Sequence, residues 1–354
     1  MSLLITTRGR LQTSTFGFNE HFEIPGCVLS SFEQLHHTAI KPFSSSKPNQ
    51  NKTEEKLEKA VSEVKVASIF IYPVKSCRGI SVSEAPVTPT VNYKGRVYTQ
   101  RVGPKLALVE VQLPNEAFLE NWEPTKSSYL VLKAPGMDVL KVSLSTPQEI
   151  ADGVSVWEWS GAALDEGADA SKWFSEYLGK PSRLVCFNAA SETRPVDTEY
   201  ALGHQIMFSD MYPYMLLSQG SLDALNELLK EPIQVNRFRP NILVNGCEPF
   251  SEDLWTDIRI DKLTFQGVKL CSRCKVPTIN QATGIAGTEP TDTLKKIRSD
   301  VILRPTGKQQ GRVYFGQHLV WRDSVAGGVK GNVVKVGDLV YVLKMVSSAA
   351  SAAA

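Results

Sequence analysis

Many short apolar segments, each bounded by turn residues, constrain the fold of this 354-residue chain more than any other feature. Apolar and polar side chains alternate along them, which is typical of strands with one buried face. Few segments with helical periodicity stand between them. The predicted strands cover residues 66–72, 106–113, 129–133, 139–144, 154–159, 183–187, 242–244, 257–260, 263–270, 313–320 and 333–343.

Three segments predict helices. Apolar residues recur at helical spacing in 165–178 and 221–229, and Gly179 follows the first of these segments as a helix end. A shorter helix is predicted over 290–298. So many strands and so few helices favour a β-rich α+β fold with a barrel-like core over a doubly wound parallel sheet.

Composition narrows the class of protein. The formal net charge is +2, and no basic block is interleaved with aromatic residues, so we predict no nucleic-acid partner. No apolar run is long enough to cross a bilayer, so no transmembrane segment is predicted. The six cysteines are scattered and do not form a disulfide framework, which indicates a reducing compartment.

Both ends of the chain differ from its body. Residues 1–65 are predicted to be a poorly ordered extension. Within it, Arg8 and Arg10 stand among Ser and Thr without an acidic residue in the first 16 positions, which is typical of an organellar transit peptide. Residues 345–354 are predicted to be a disordered tail. We therefore expect an intracellular protein, and we favour the mitochondrion over the cytosol or plastid.

Cys271 and Cys274 form a C-x-x-C pair at the end of a predicted strand. Arg273 and Lys275 next to them favour the thiolate form, which ligates metals and acts as a nucleophile. Four interpretations are open for such a pair. They are a structural zinc site, a thioredoxin-like redox site, a single thiolate on the metal of an organic cofactor, and two buried, inert thiols.

The surrounding sequence disfavours two of these interpretations. A structural zinc site needs a second Cys/His pair, and the other cysteines are isolated. A redox site would be followed by a helix, whereas Pro277 and a loop-like stretch follow here. The single-ligand and the inert interpretations both remain.

Five separated motifs, which run in order along residues 66–344, identify a family. They are YPVKSCRGI at 72–80, FSDMYP at 208–213, NRFRPNILV at 236–244, CSRC at 271–274 and VKVGDLV at 334–340. In this combination they resemble the MOSC family, in particular its molybdenum-dependent amidoxime-reducing branch in a plant-like version. The resemblance implies an N-terminal MOSC-type β domain over 66–190 and a MOSC β-barrel over 198–344.

The resemblance also implies a cofactor, molybdenum bound to molybdopterin, with Cys274 and not Cys271 as the catalytic metal ligand. Lys75, Arg239 and Arg273 match positions that bind the cofactor, and arginine suits an anionic phosphate. The further implied contacts are Ser76, Met211, Tyr212, Asn241, Ser272 and His318.

Several of these residues have structural alternatives. Arg239 could form a surface ion pair, and Asn241 could cap a turn. Met211 and Tyr212 could be core residues, and His318 could be an ordinary barrel histidine.

The implied activity is the reduction of N-hydroxylated compounds, such as amidoximes and hydroxylamines. No G-x-G-x-x-G fingerprint is present, so electrons are expected from a separate protein. The resemblance implies a b-type cytochrome with its NADH-dependent flavin reductase. The alternatives are a cofactor-binding, sulfur-carrier or trafficking module like the C-terminal part of a molybdenum cofactor sulfurase, and a plain binding protein.

This chain departs from the family at one place. After Thr90 the resemblance leads us to expect a Gly-Phe-Arg-x-Asp-Arg-x-Trp-like block, and the chain continues directly with Val91. The missing block contains a strand and an arginine that binds the cofactor phosphate in relatives. We therefore expect an internally shortened N-terminal domain.

Overall fold

The computed structural model describes residues 3–7, 63–87, 98–147, 149–156, 159–323 and 332–352. These residues form mostly strands. The strands are β1 Leu3–Thr7, β2 Lys65–Ile71, β3 Ile80–Val82, β4 Glu84–Pro86, β5 Glu110–Gln112, β6 Tyr129–Lys133, β7 Leu140–Ser143, β8 Ile150–Val156, β9 Trp159–Asp165, β10 Ser182–Phe187, β11 Tyr214–Ser218, β12 Ile242–Asn245, β13 Trp255–Ile260, β14 Leu263–Ser272, β15 Tyr314–Trp321, β16 Val333–Lys335 and β17 Val340–Met345.

Helices are few in the described residues. The α-helices are α1 Ala168–Leu178, α2 Gln219–Asn226, α3 Thr291–Ile297 and α4 Asp300–Leu303, and the 3-10 turns are Pro104–Leu108, Asn115–Phe118, Val235–Arg237, Ser251–Leu254, Val276–Thr278 and Ala349–Ser351. No helix in the described ranges has the length and apolar character needed to cross a bilayer.

An eight-stranded sheet forms the centre of the fold, in the order β17-β13-β14-β15-β11-β12-β2-β3. Its neighbours are antiparallel except β11 and β12, which are parallel. The two sides of the sheet curl towards each other, because Val66 donates to the carbonyl of Asp338 and Val340 donates to that of Val64. This half-barrel confirms the predicted β-rich fold.

The interior of the half-barrel is apolar because side chains alternate along its strands. In β14 the inward positions include Leu263 and Phe265, which pack with Ile258, Leu319 and Trp321. Each fully buried side chain of this kind contributes about 1.5–3 kcal/mol to stability. The core therefore holds the ends of β2, β12 and β14 in place, and the candidate site lies at these ends.

Two smaller sheets form the N-terminal part. One has the order β5-β6-β7, and the other has the order β1-β10-β9-β8. Helix α1 packs its buried face, including Trp173 and Phe174, against β7 of the first sheet and β10 of the second. It ends at Gly179, whose φ of 70° is left-handed and thus suits glycine.

Several predicted elements differ from the observed ones. The segment predicted as a strand over 106–113 begins instead with the turn Pro104–Leu108, where proline occupies a first-turn position, and only β5 is extended. The predicted strand 154–159 belongs to two paired strands, β8 and β9. Helix α1 starts at Ala168, later than predicted, because β9 continues to Asp165 and pairs it with Val185.

The predicted domain limits remain predictions. Within the predicted extension, β1 pairs with β10. Within the predicted tail, Ala352 is buried beside Leu270 and Tyr314. The place of the missing block, after Thr90, lies outside the described residues.

Glu166, between β9 and α1, gives a testable pH dependence. Its Oε1 is buried without a hydrogen-bond partner, and burial, together with the charge of Asp165, raises its pKa from 4.5 to about 8. The folded protein therefore binds a proton that the unfolded chain releases above pH 4.5, so stability falls as pH rises from 4.5 to 8.

Glu166→Gln is expected to stabilise the protein by roughly 2–3 kcal/mol at pH 8, allowing for residual solvent contact, and little at pH 4.5. Urea unfolding at both pH values checks this, with exposed Glu149→Gln as the control. An equal effect at both pH values would contradict it.

Candidate functional site

A cavity of about 830 Å³ lies where loops of the half-barrel meet the sheet β5-β6-β7 and the segments next to it. Ligand sites in proteins commonly have volumes of about 300–1,000 Å³. All ten residues that the sequence proposed for the site line this cavity. They are Lys75, Ser76, Met211, Tyr212, Arg239, Asn241, Ser272, Arg273, Cys274 and His318.

The ends of β2, β12 and β14 explain why distant motifs meet. Lys75 and Ser76 follow β2, Arg239 precedes β12, and Arg273 and Cys274 follow β14. These strands belong to one sheet, so its curvature brings the adjoining loops around one space. The sequence order of the motifs alone does not contain this arrangement.

The two cysteines of the C-x-x-C pair have different environments. Cys274 is exposed, whereas Cys271 is buried at the end of β14. A nitrogen of the Arg273 guanidinium donates to the Cys271 Sγ at 2.7 Å. Burial raises the pKa of the Cys271 thiol, but the charges of Arg273 and His318 and their hydrogen bonds outweigh it and lower the pKa to about 6. The guanidinium thus contacts the cysteine that we did not assign as the metal ligand.

Arg239 is held at the cavity wall. Its Nη1 donates to the carbonyl of Cys77 at 2.6 Å, and its guanidinium lies 4.2 Å from the ring centre of Tyr72. Its φ of 55° is unusual for a residue with a side chain. Tyr72 in turn donates to the carbonyl of Pro240 at 3.0 Å. These contacts, with no carboxylate among those described for Arg239, differ from the surface ion pair considered above.

Lys75 is buried and forms an ion pair with Asp210, whose side chain is half exposed. Burial lowers the pKa of Lys75, and the charges of Arg239 and Arg101 lower it further, while Asp210 opposes them. Three cations therefore influence one another across this space. A buried cationic group surrounded by like charges gains from a bound anion.

Ser76 adopts a left-handed conformation with a φ of 66°, and a buried pair of glutamines supports it. Gln100 donates to the Ser76 carbonyl at 2.7 Å. The Gln100 and Gln281 amides also exchange hydrogen bonds, of 3.1 and 3.0 Å. This pair links the N-terminal region to the loop after Cys274.

Gln100 supplies a further prediction. Gln100→Leu removes the donor to the Ser76 carbonyl and the hydrogen bonds that Gln100 makes with the Oε1 and Nε2 of Gln281. The unfolding free energy is therefore expected to fall by about 1–3 kcal/mol. Gln112→Leu, at an exposed position, is the control. The double variant Gln100→Leu, Gln281→Leu is expected to recover part of the loss in denaturant unfolding. A double variant that loses the sum of the two single effects would contradict the coupling.

His318 and Tyr212 lie together on one wall. Their ring centroids are 5.0 Å apart, and the His318 Nδ1 and the Tyr212 hydroxyl are buried without hydrogen-bond partners. Burial raises the pKa of Tyr212. Tyr212 also packs with Val268 and Val320, so it has the core contacts considered above and lines the cavity as well. Met211 is 43% exposed.

The Asn241 side chain forms hydrogen bonds with the backbones of two strands, β11 and β2. It accepts from the Met215 N–H at 3.1 Å and donates to the Phe70 carbonyl at 3.4 Å. It thus tethers β11 and β2 rather than capping a turn.

Sequence reasoning missed Asp210, Arg101 and Gln100. Asp210 belongs to the FSDMYP motif and could have been considered as a counter-ion for a cation. Arg101 and Gln100 follow the shortened segment, where the sequence carries no motif signal.

The described residues contain no group of three or more His, Cys, Asp or Glu side chains that could hold a metal ion. A metal at Cys274 would therefore take its other ligands from a non-protein group. The buried Lys75, the positioned Arg239 and Arg273, and the exposed Cys274 fit an anionic group that brings such ligands. The site combines a thiol, cations and hydroxyl donors in one cavity.

Two family models match this chain. The MOSC N-terminal beta barrel domain covers residues 63–181, and the MOSC domain covers residues 203–341. The matched ranges contain the sheet β5-β6-β7, strands β8 and β9, and most of the half-barrel, and they define a two-domain MOSC protein.

Three similar proteins indicate which members of the MOSC family this chain resembles. The chain is 32% identical over 301 residues to the mitochondrial amidoxime reducing component 2 of Rattus norvegicus, covering 78% of this chain and 82% of the relative. It is 28% identical over 357 residues to component 1 of Mus musculus, covering 95% and 98%. It is also 28% identical over 369 residues to the molybdenum cofactor sulfurase of Oryza sativa subsp. japonica, covering 92% of this chain and 42% of that protein. The chain therefore belongs to the MOSC family, together with the amidoxime-reducing components.

Proposed function

We propose that this protein is a molybdenum-cofactor oxidoreductase that reduces N-hydroxylated compounds, such as amidoximes and hydroxylamines. The observation that carries the proposal is the single cavity that all ten proposed site residues line. Relatives named amidoxime-reducing components support the same chemistry.

In this proposal each part of the cavity wall has a role. The Cys274 thiolate is the protein ligand of the metal, since it is the exposed thiol of the pair. Lys75, Arg239 and Arg273 hold the anionic end of molybdopterin, with the Ser76 and Ser272 hydroxyls as further donors. Met211, Tyr212, Asn241 and His318 complete the wall around the cofactor.

The overall reaction cleaves one N–O bond. An N-hydroxylated compound takes up two electrons and two protons and yields the N–H compound and water. When bound, the cofactor supplies the two-electron oxygen-transfer chemistry. The protein holds the anionic cofactor through the cations of the cavity wall.

Two electrons must come from elsewhere for each turnover. We propose a b-type cytochrome and its NADH-dependent flavin reductase as donors. We also propose the mitochondrion as the compartment, because the relatives are named mitochondrial.

The test combines analysis and turnover. Protein purified from cells that make the cofactor is expected to contain about one molybdenum and one pterin per chain. With cytochrome, reductase and NADH, it is expected to convert benzamidoxime to benzamidine. Zinc in place of molybdenum, or full cofactor occupancy without any turnover, would overturn the proposal.

A second candidate function is a cofactor-binding module for sulfur or cofactor transfer. The match to rice molybdenum cofactor sulfurase favours it, because that match spans 92% of this chain and only 42% of the sulfurase. A module of this kind would bind cofactor, show no amidoxime turnover and pass the cofactor to a cofactor-free molybdenum enzyme. Activation of such an enzyme by the loaded protein would support the second function.

A further inference from the structure

The cavity wall has two parts with different chemistry. Loops of the half-barrel form a polar, cationic part around Cys274. Residues from 113–124, after β5, form an apolar part. The proposed cofactor roles use the cationic part and leave the apolar part unexplained. We call it the apolar annex, and its members are Leu113, Ala117, Phe118, Leu119, Trp122 and Pro124.

The annex is apolar but not closed. Leu119 is 51% exposed, and Phe118 and Trp122 are half-buried. Glu116 and Glu120 lie in the same segment, but only uncharged residues of it line the cavity, with Asn121 as the polar one. Ile69 and Val87 from the half-barrel side line the same cavity. Apolar surface held open beside a polar site gains free energy when an apolar ligand covers it.

In the proposed function, the cationic part of the wall is already occupied. Lys75 is paired with Asp210, and Lys75, Arg239 and Arg273 hold the anionic end of molybdopterin. The apolar annex is therefore the part of the cavity wall that is left for the substrate.

From these observations we infer that the apolar annex binds the alkyl or aryl body of the substrate while its N–OH group faces Cys274. This inference rests on the proposed function and adds the class of substrate, namely N-hydroxylated compounds with a large apolar substituent. Small hydrophilic substrates gain nothing from the annex.

Binding without turnover tests the annex separately from the reaction. Calorimetry on the purified, cofactor-containing protein, without electron donors, measures Kd for 4-hexylbenzamidoxime and for acetamidoxime. 4-Hexylbenzamidoxime is expected to bind at least about thirtyfold more tightly than acetamidoxime, because it buries several more methylene and ring carbons. Leu119→Asn is expected to weaken its binding about fivefold, and Ala117→Phe, which fills the annex, at least about tenfold. Both variants are expected to leave acetamidoxime binding within about twofold.

The control is Leu202→Asn, a leucine that is 78% exposed and does not line the cavity. It is expected to change neither Kd. Equal affinity for the two compounds, or annex variants that change neither Kd, would overturn the role of the annex. Turnover of both compounds in that case would leave the proposed function intact. If the variants weaken 4-hexylbenzamidoxime binding but neither compound is reduced, the annex stands and the proposed function fails.

Discussion

Replacing Cys274 by serine is expected to lower the molybdenum content of the purified protein at least tenfold, whereas Cys271→Ser retains most of it. Loss of a group that only supports a metal ligand already lowers affinity about 10–100-fold, so loss of the ligand itself is expected to do at least as much. Cys274 is the exposed thiol at the cavity, and Cys271 is buried against Arg273. Metal analysis of both variants, at matched folding by circular dichroism, checks the result.

Cys186→Ser is the matched control, since Cys186 lies in β10 and does not line the cavity. It is expected to retain full metal content. A smaller loss in Cys271→Ser has a physical reason, because the hydroxyl is a poorer partner than a thiolate for the Arg273 guanidinium. Equal loss in the Cys271 and Cys274 variants, or zinc in place of molybdenum, would contradict the single-ligand hypothesis.

The sequence pattern predicted the limits of strands well where buried and exposed side chains alternate along the strand. β6 has the predicted limits, and β14 differs only at its C-terminal end. The prediction failed where a tertiary contact overrides the pattern. At 106–108 the apolar residues pack inward from a 3-10 turn after Pro104, so their alternation does not reflect a strand.

Motifs pointed to ten of the residues that line the cavity, but not to the rest of its wall or to the contacts between its side chains. Arg273 was expected to act on both cysteines, and the structure directs it to Cys271. The counter-ion of Lys75 is Asp210, which is 135 residues away in sequence. Ion pairs of this separation depend on the curvature of the sheet, which local periodicity does not contain.

The second large expected effect concerns a buried ion pair outside the cavity. Arg298, just after α3, pairs with Asp253 in the turn Ser251–Leu254, and their side chains are only 7% and 2% exposed. The guanidinium also lies 4.5 Å from the ring centre of Phe250. Burial lowers the pKa of Arg298 to about 10, against the opposing charge of Glu252. Glu252 itself is buried and accepts from the Ser218 and Ser221 hydroxyls at 2.7–2.9 Å.

Arg298→Met is expected to lower the unfolding free energy by about 3–5 kcal/mol, because it leaves the Asp253 carboxylate buried without its cation. Adding Asp253→Asn removes the stranded charge, so the double variant is expected to recover about half of the loss. Lys295→Met breaks the exposed pair with Asp292 in α3 and is expected to cost less than about 1 kcal/mol. Urea unfolding of the unmodified protein, the two single variants and the double variant measures these differences.

A loss below about 1 kcal/mol in Arg298→Met would place this ion pair among the weak surface pairs. A double variant without recovery would assign the loss to the packing of the Arg298 stem on Phe250 rather than to the charge.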